Sequence, residues 1–275
     1  MATEVGTERE AIGLAPFSER AEAGAFLQRP WVLRLASFMV FAIAWEIAGR
    51  IPISFAFPTF TATVAAFARL MASGELPLAY VSTLQPLILG ILLSAFLGVG
   101  IGVLCGLWRL GEFTAIPVFI VFQAAPVAAL IPLVTFVYGI GMVAKTLAVM
   151  LLALPVIVLN TYKAVRNVNA SLIAMSRSFL GDRRQEIVKI VLPDASPVIF
   201  AGLRLGVAAG FVGVVLAELL ITPTGIGDLI TFYRSRADYA AMYATIVSII
   251  ALSTLTLIGL QWIEVRLFRP EKRGT

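Results

Sequence analysis

ASLIAMSRSFLGDRRQEIVKIVLP, residues Ala170 to Pro193, is a basic amphipathic island in a sequence that otherwise reads almost entirely as membrane. Leu172, Met175, Ser176 and Phe179 recur at helical spacing, which predicts a short helix closed by Gly181 as a left-handed C-terminal cap. Asp182 then heads a second helix. Its carboxylate can accept from the next turn of backbone N–H groups, and Gln185 stands three residues on, the spacing of a capping box. Pro193 is expected to stop this helix. Ile187, Val188, Ile190 and Val191 form an apolar stripe, with Arg183, Arg184, Gln185, Glu186 and Lys189 largely opposite. Between Lys163 and Lys189 there are six Lys/Arg against two acidic residues, so neither helix can be a span. The pair belongs in water or at a surface, on the positively charged side of a membrane.

The rest of the composition agrees. The chain has 275 residues, 60% hydrophobic and only 13% charged, with a mean hydropathy of +0.95, whereas a soluble domain has roughly 45–50% apolar residues. The net charge of +5 resides in the loops between apolar runs, as orientation in a bilayer requires, and does not point to nucleic acid. Cys105 is the single cysteine, so an intrachain disulfide is excluded. Histidine is absent, which removes the commonest general base and metal ligand. No phosphate-binding Gly-x-x-x-x-Gly-Lys-Ser/Thr loop occurs, and Gly225-Ile226-Gly227 reads as a turn, so no ATP hydrolysis is expected of this chain itself. Nor is there a Ser/His or Cys/His pair for acyl transfer.

Taking about 20 apolar residues per crossing, six spans are expected: Trp31 to Ala48, Leu84 to Trp108, Phe113 to Tyr138, Val143 to Tyr162, Pro197 to Ile221, and Tyr239 to Leu260 with an extension to about Phe268. The fold class is all-α, a polytopic membrane protein with six transmembrane helices and the island as a loop between helices 4 and 5. Between Arg50 and Thr83 an interfacial helix is expected, with Val64, Phe67, Leu70 and Met71 on one side. Residues 1–29 read as an N-terminal tail without a cleavable signal peptide, 30–268 as the membrane domain with its loop at 163–196, and 269–275 as a C-terminal tail. Sixteen Lys/Arg fall on the side of the termini and the island; five, Arg50, Arg69, Lys145, Arg234 and Arg236, fall opposite. That asymmetry makes both termini and the island cytoplasmic.

Two spans carry ladders of small residues, which let helix backbones approach closely where lipid offers no hydrophobic drive. One is Gly90, Ser94, Gly98, Gly102 and Gly106; the other is Gly202, Gly206 and Gly210, with Gly213 and Ala217 on a neighbouring row. Both are expected at the bundle core or a subunit interface. The third span contains Pro117, Pro126 and Pro132, with Gln123 beside the middle one. Carbonyls freed by proline must face protein or water, so this span is the candidate lining of a polar path, with Pro155 and Asn160 marking a second. Glu46, Gln85 and Glu218 are intramembrane polar groups that need partners. Glu46 and Glu218 are expected near the outer ends of their spans, within reach of water, and no Lys or Arg is expected at a bilayer centre. The candidate path residues are Gln123, Pro126, Asn160 and Glu218. A passive channel or ion-coupled carrier, its basic loop bound to anionic lipid, remains open on these residues alone.

The island resembles the EAA loop of ABC-importer permeases, where a Glu-Ala-Ala triplet, a Gly four positions after it and a later Ile-x-Leu-Pro form the helix that docks on the ATPase. Ile190, Leu192 and Pro193 match the far end. Counting back, the triplet falls on Ala174, Met175 and Ser176 and the Gly slot on Leu180, with Gly181 one place late; the acidic residue is absent. SPVIFAGLRLGVAAGFVGVVLAELL from Ser196 to Leu220, followed by Gly225-Ile226-Gly227-Asp228, resembles the nitrate/sulfonate/taurine subfamily. Trp45-Glu46, Phe57-Pro58, Ile131-Pro132, Tyr138-Gly139-Ile140-Gly141 and Asn160-Thr161 also fit it. The resemblance implies a bacterial inner-membrane permease paired with a second copy of itself, two copies of a separate ATPase, and an extracytoplasmic solute-binding protein. It implies ATP and Mg on the ATPase, no cofactor on this chain, and a small, anionic cargo. It also implies that Ala174, Met175, Ser176, Arg177, Phe179, Leu180, Gly181, Asp182, Arg183, Arg184 and Glu186 meet the ATPase.

Overall fold

The computed structural model describes residues 30–51, 55–221 and 223–268, and every regular element among them is helical. The tails expected at 1–29 and 269–275 lie outside the described residues. In chain order the helices are α1 (Pro30–Arg50), α2 (Phe60–Ala72), α3 (Glu75–Leu107), α4 (Arg109–Ala124), α5 (Val127–Tyr138), α6 (Met142–Arg166), α7 (Ala170–Ser178), α8 (Arg183–Glu186), a π turn (Ile187–Val191), α9 (Leu192–Leu220), α10 (Ile226–Ser235) and α11 (Tyr239–Phe268). Among the described residues, five helical runs are long and apolar enough to cross a membrane, and a sixth crossing results when α4 and α5 are taken together.

Contacts divide the chain into two compact units, Met1–Thr63 and Val64–Thr275. In the first, Glu46 holds the start of α2: its Oε2 accepts from the Thr61 N–H at 3.0 Å, and Arg50 pairs with Oε1 at 2.8 Å. The Trp45 indole donates to the Pro58 carbonyl at 3.0 Å.

In the second unit α6 is the central helix. Of its apolar window 56% is buried, against 28% for α3 and for α11. The α3 ladder accounts for one side of that burial. A Cβ on Gly90 would meet Val149 at 2.7 Å, one on Gly98 Ile157 at 2.8 Å, one on Gly102 Thr161 at 2.5 Å and one on Gly106 Val165 at 2.6 Å. Glycines four residues apart thus face side chains four residues apart on α6, a contact with no room for a methyl group. The α9 ladder approaches from the other side, where Gly202 faces Asn160 at 2.6 Å, Gly206 faces Ile157, and Gly213 faces the Ala148 carbonyl at 2.7 Å.

Several expectations are corrected. The second span begins at Glu75, nine residues before Leu84, so the connection between the first two spans is shorter than Arg50 to Thr83 suggested. On α2 the buried residues are Thr63, Ala66 and Leu70, whereas Val64, Phe67 and Met71 are exposed. The third span is not one kinked helix: α4 and α5 meet at a bend of 101°. The break falls at Ala125-Pro126, where Ala125 is extended (φ −67°, ψ 144°) because the following proline ring disfavours the α region. Pro117 and Pro132 stay inside their helices. Pro193 stops nothing. It sits at the start of α9, and its missing N–H falls directly after a widened turn of the helix. The preceding π turn, in which the Leu192 N–H bonds back to the Ile187 carbonyl, carries the helix through, so Arg183–Leu220 is one run of 38 residues.

The ladder contact yields a paired prediction. Gly102→Ala places a methyl group 2.5 Å from Thr161 Cβ and 2.8 Å from the Val158 carbonyl, whereas a Cβ at Gly100 has nothing within 4 Å. Gly102→Ala is expected to lose about 1–3 kcal/mol through overpacking and Gly100→Ala to be near neutral, read as thermal unfolding midpoints in detergent.

Candidate functional site

The island forms a compact cap over the ends of α3, α6 and α9. Asn169 starts α7, its Oδ1 accepting from the Ser171 N–H at 3.0 Å. Ile173 packs with Ala164, Val165, Val168, Val191 and Ala195, together with Val103 and Leu107 from the end of α3. Ser176 is buried beneath the turn, whereas Met175 and Phe179 are exposed, so the residues that share helical spacing divide between inside and outside. The residue in left-handed conformation is Leu180 (φ 56°), not Gly181. The Leu180 N–H donates to the Arg177 carbonyl and the Gly181 N–H to the Ser176 carbonyl, both at 3.0 Å, closing α7. Counting along the resemblance had placed the glycine slot on Leu180, the position whose backbone favours glycine. Leucine there costs about 1 kcal/mol.

Asp182 and Gln185 make the reciprocal capping box, the Gln185 N–H donating to Asp182 Oδ1 at 2.6 Å and the Asp182 N–H to Gln185 Oε1 at 3.4 Å. Arg177 reaches Glu186 at 3.3 Å and ties α7 to α8. Ile187, Ile190 and Val191 turn inward while Val188 is exposed, which breaks the expected stripe by one residue. Beneath the loop lies a cavity of about 590 Å³ lined by Arg166, Arg177, Arg183 and Glu186 over an apolar floor. Ala174, Arg183 and Arg184 are exposed. The exposed side chains of the loop include the apolar Met175, Phe179 and Leu180 and the cationic Arg177, Arg183, Arg184 and Lys189, with Asp182 and Gln185 among them.

At the opposite end of α9 is a buried cluster that the sequence reading missed. Glu218 is 2% exposed and does not reach water. Lys145, at the first turn of α6, donates to Glu218 Oε1 at 2.7 Å and to the Thr224 carbonyl and hydroxyl, both at 3.0 Å. Thr83 from α3 lies 2.9 Å and 3.0 Å from the two carboxylate oxygens and accepts from the Ile226 N–H at 2.9 Å. The Gly227 N–H at the start of α10 donates to Glu218 Oε2 at 3.0 Å, so the carboxylate also faces a helix N-terminus, where negative charge is favoured. Gly225 (φ 96°) has a backbone that side chains rarely adopt, and a Cβ there would strike the Glu218 carboxylate. Gln85 and Ser82 line a cavity of about 170 Å³ beside Lys145. The signal in the sequence was two opposite charges at one depth, Lys145 opening one span and Glu218 closing the next.

The other path candidates lie apart in their bonding. Gln123 is exposed at the last turn of α4, and Pro126 is exposed at the break. Asn160 is half-buried against Gly202 and donates to its own helix at Val156, 2.8 Å away. Glu218 bonds to Thr83, Lys145 and Gly227 and to none of these three. Gly98, Gly102, Gly202 and Gly206 all lie against α6. No group of three or more His, Cys, Asp or Glu that could hold a metal occurs among the described residues.

Residues 98–269 match the family described as binding-protein-dependent transport system inner membrane component, and the chain belongs to that family. It is 29% identical over 268 residues, covering 94% of this chain and 96% of the relative, to the putative aliphatic sulfonates transport permease protein SsuC of Bacillus subtilis (strain 168). It is 34% identical over 151 residues, 55% of this chain and 56% of the relative, to the riboflavin transport system permease protein RibX of Chloroflexus aurantiacus. Among solved structures, a chain of the MetNI methionine ABC transporter in an inward-facing conformation superposes with a TM-score of 0.56 at 19% identity, covering 69% of this chain and 93% of that one, a likeness of fold.

The buried pair predicts an asymmetry. Lys145→Ala or Glu218→Ala strands a buried charge and is expected to lose about 3–5 kcal/mol, whereas Lys145→Met with Glu218→Leu removes both charges and costs far less. Thermal unfolding of the purified variants, read side by side, checks the ordering.

Proposed function

Taking that family membership as premise, we propose that this chain is the membrane-spanning subunit of an ATP-driven importer, assembled as two copies with two ATPases and supplied by an extracytoplasmic binding protein. The observation that carries the reading is the loop itself. It is closed by the Gly181 to Ser176 hydrogen bond and the capping box, exposes Met175, Phe179 and Leu180, and runs without a break from Arg183 into the span that ends at Leu220. The Lys/Arg asymmetry supports a cytoplasmic loop and cytoplasmic termini.

In this reading, ATP binding draws the two ATPases together and moves the seated loops with them. Each loop turns α9 against α6 over the smooth contact at Gly202 and Gly206, switching the path from inward to outward. Cargo released by the binding protein enters, and hydrolysis resets the path. ATP and Mg belong to the ATPase. The cargo is a small anion of the sulfonate, taurine or nitrate kind, a reading supported by the subfamily motifs and the likeness to SsuC. Lys145 is engaged by Glu218 and Thr224, so the path offers cargo no free buried cation there. Weak binding suits a conduit loaded by a binding protein.

Gly181→Pro removes the N–H that closes α7 on Ser176, a local change of about 3 kcal/mol. The expected outcome in proteoliposomes containing the ATPase and binding protein is uptake lowered roughly tenfold or more, with insertion retained and ATP hydrolysis uncoupled. Normal uptake refutes the loop's role. A thermal-shift screen of the binding protein with taurine, an alkanesulfonate, nitrate and riboflavin decides the cargo.

A further inference from the structure

The outer surface of the island is predominantly cationic: of its two acidic groups, Asp182 is an exposed helix cap and Glu186 is paired within the chain. Asp182 caps the Gln185 N–H, and Glu186, whose side chain is only 17% exposed, pairs with Arg177. Arg183, Arg184 and Lys189 are exposed and form no ion pair among the described residues, and the Arg177 side chain stays 71% exposed despite Glu186. Among these cations stand Phe179, 81% exposed, and Leu180, 93% exposed. Leu180 combines a left-handed backbone with a side chain that buries nothing in its own chain. Strain retained at a residue that contributes nothing to the core points to a contact made outside the chain.

We propose that the ATPase surface receiving this loop is an apolar hole for Phe179 and Leu180 with carboxylates on its rim facing Arg177, Arg183, Arg184 and Lys189. This rests on the importer reading and specifies the chemistry of its partner. Complementary charge at a rim governs encounter and partner choice, and an apolar anchor in a closed pocket carries the affinity. A lipid surface also attracts basic amphipathic segments, but it takes a helix lying flat with its apolar face in the headgroups. Here Ile173 of α7 is packed inward, and the turn at Phe179-Leu180 is held up as a knob by the Gly181 to Ser176 bond and the capping box.

The test uses the full chain in nanodiscs and the purified ATP-binding-cassette ATPase that restores its transport in proteoliposomes. Leu180→Gly relieves the left-handed backbone, so the chain's own unfolding midpoint stays or rises while affinity for the ATPase falls at least about fivefold. Arg183→Glu with Arg184→Glu lowers affinity about tenfold or more, and wild-type affinity falls between about 0.05 and about 0.5 M salt. Wild-type affinity in both variants, or affinity indifferent to salt, overturns the proposal and leaves the importer reading standing. If charge reversal matters only in discs containing phosphatidylglycerol and not in neutral ones, the loop answers to lipid and the proposal falls. If no such ATPase restores transport, the importer reading itself fails and takes the proposal with it.

Discussion

A charged pair sealed away from water is the constraint on which the half of this molecule opposite the island depends. Lys145 and Glu218 are 4% and 0% exposed at their side chains, and ions so placed are tolerated only when every lone pair and proton is answered. The answers come from four segments: Thr83 on α3, the start of α6, the loop at Thr224, and the first turn of α10. Satisfying one carboxylate therefore fixes the relative positions of three spans and a short helix. The rigid glycine turn at Gly225 exists because the carboxylate occupies the space where a side chain would be.

From that anchor, α9 runs back past α6 to the island. Its middle is held by close backbone contact, its far end by the apolar cluster of Val191, Ala195 and Ile199 with the ends of α3 and α6. The helix is thus pinned by electrostatics at one end and by packing at the other. The contact between them is smooth on the α9 side, since Gly202 and Gly206 offer no knobs to interlock.

Local features of this architecture were legible in the sequence. The capping box needs only Asp182 and Gln185 three positions apart, and the ladder of Gly90, Ser94, Gly98, Gly102 and Gly106 declares its face by period alone. The cluster of prolines marked a disturbed third span, but choosing Pro126 required knowing where a bend fits the packing. The left-handed residue was read one place late because glycine is the usual tenant and leucine is not. What stayed hidden was long-range. Lys145 and Glu218 lie 73 residues apart, and hydropathy assigns each a depth without saying that they face each other. The path residues Gln123, Pro126 and Asn160 were drawn from prolines and polar side chains inside apolar runs, a pattern that cannot tell a conduit from a helix end.

The wide turn at Ile187–Val191 has a consequence for how such a chain can diversify. One extra residue in a helical turn rotates everything beyond it by roughly 100° without ending the helix. The direction in which the loop faces is thereby decoupled from the direction in which the span faces, and each can drift under its own selection. Gaining or losing a single codon there would re-aim the handle while leaving the shaft seated as before.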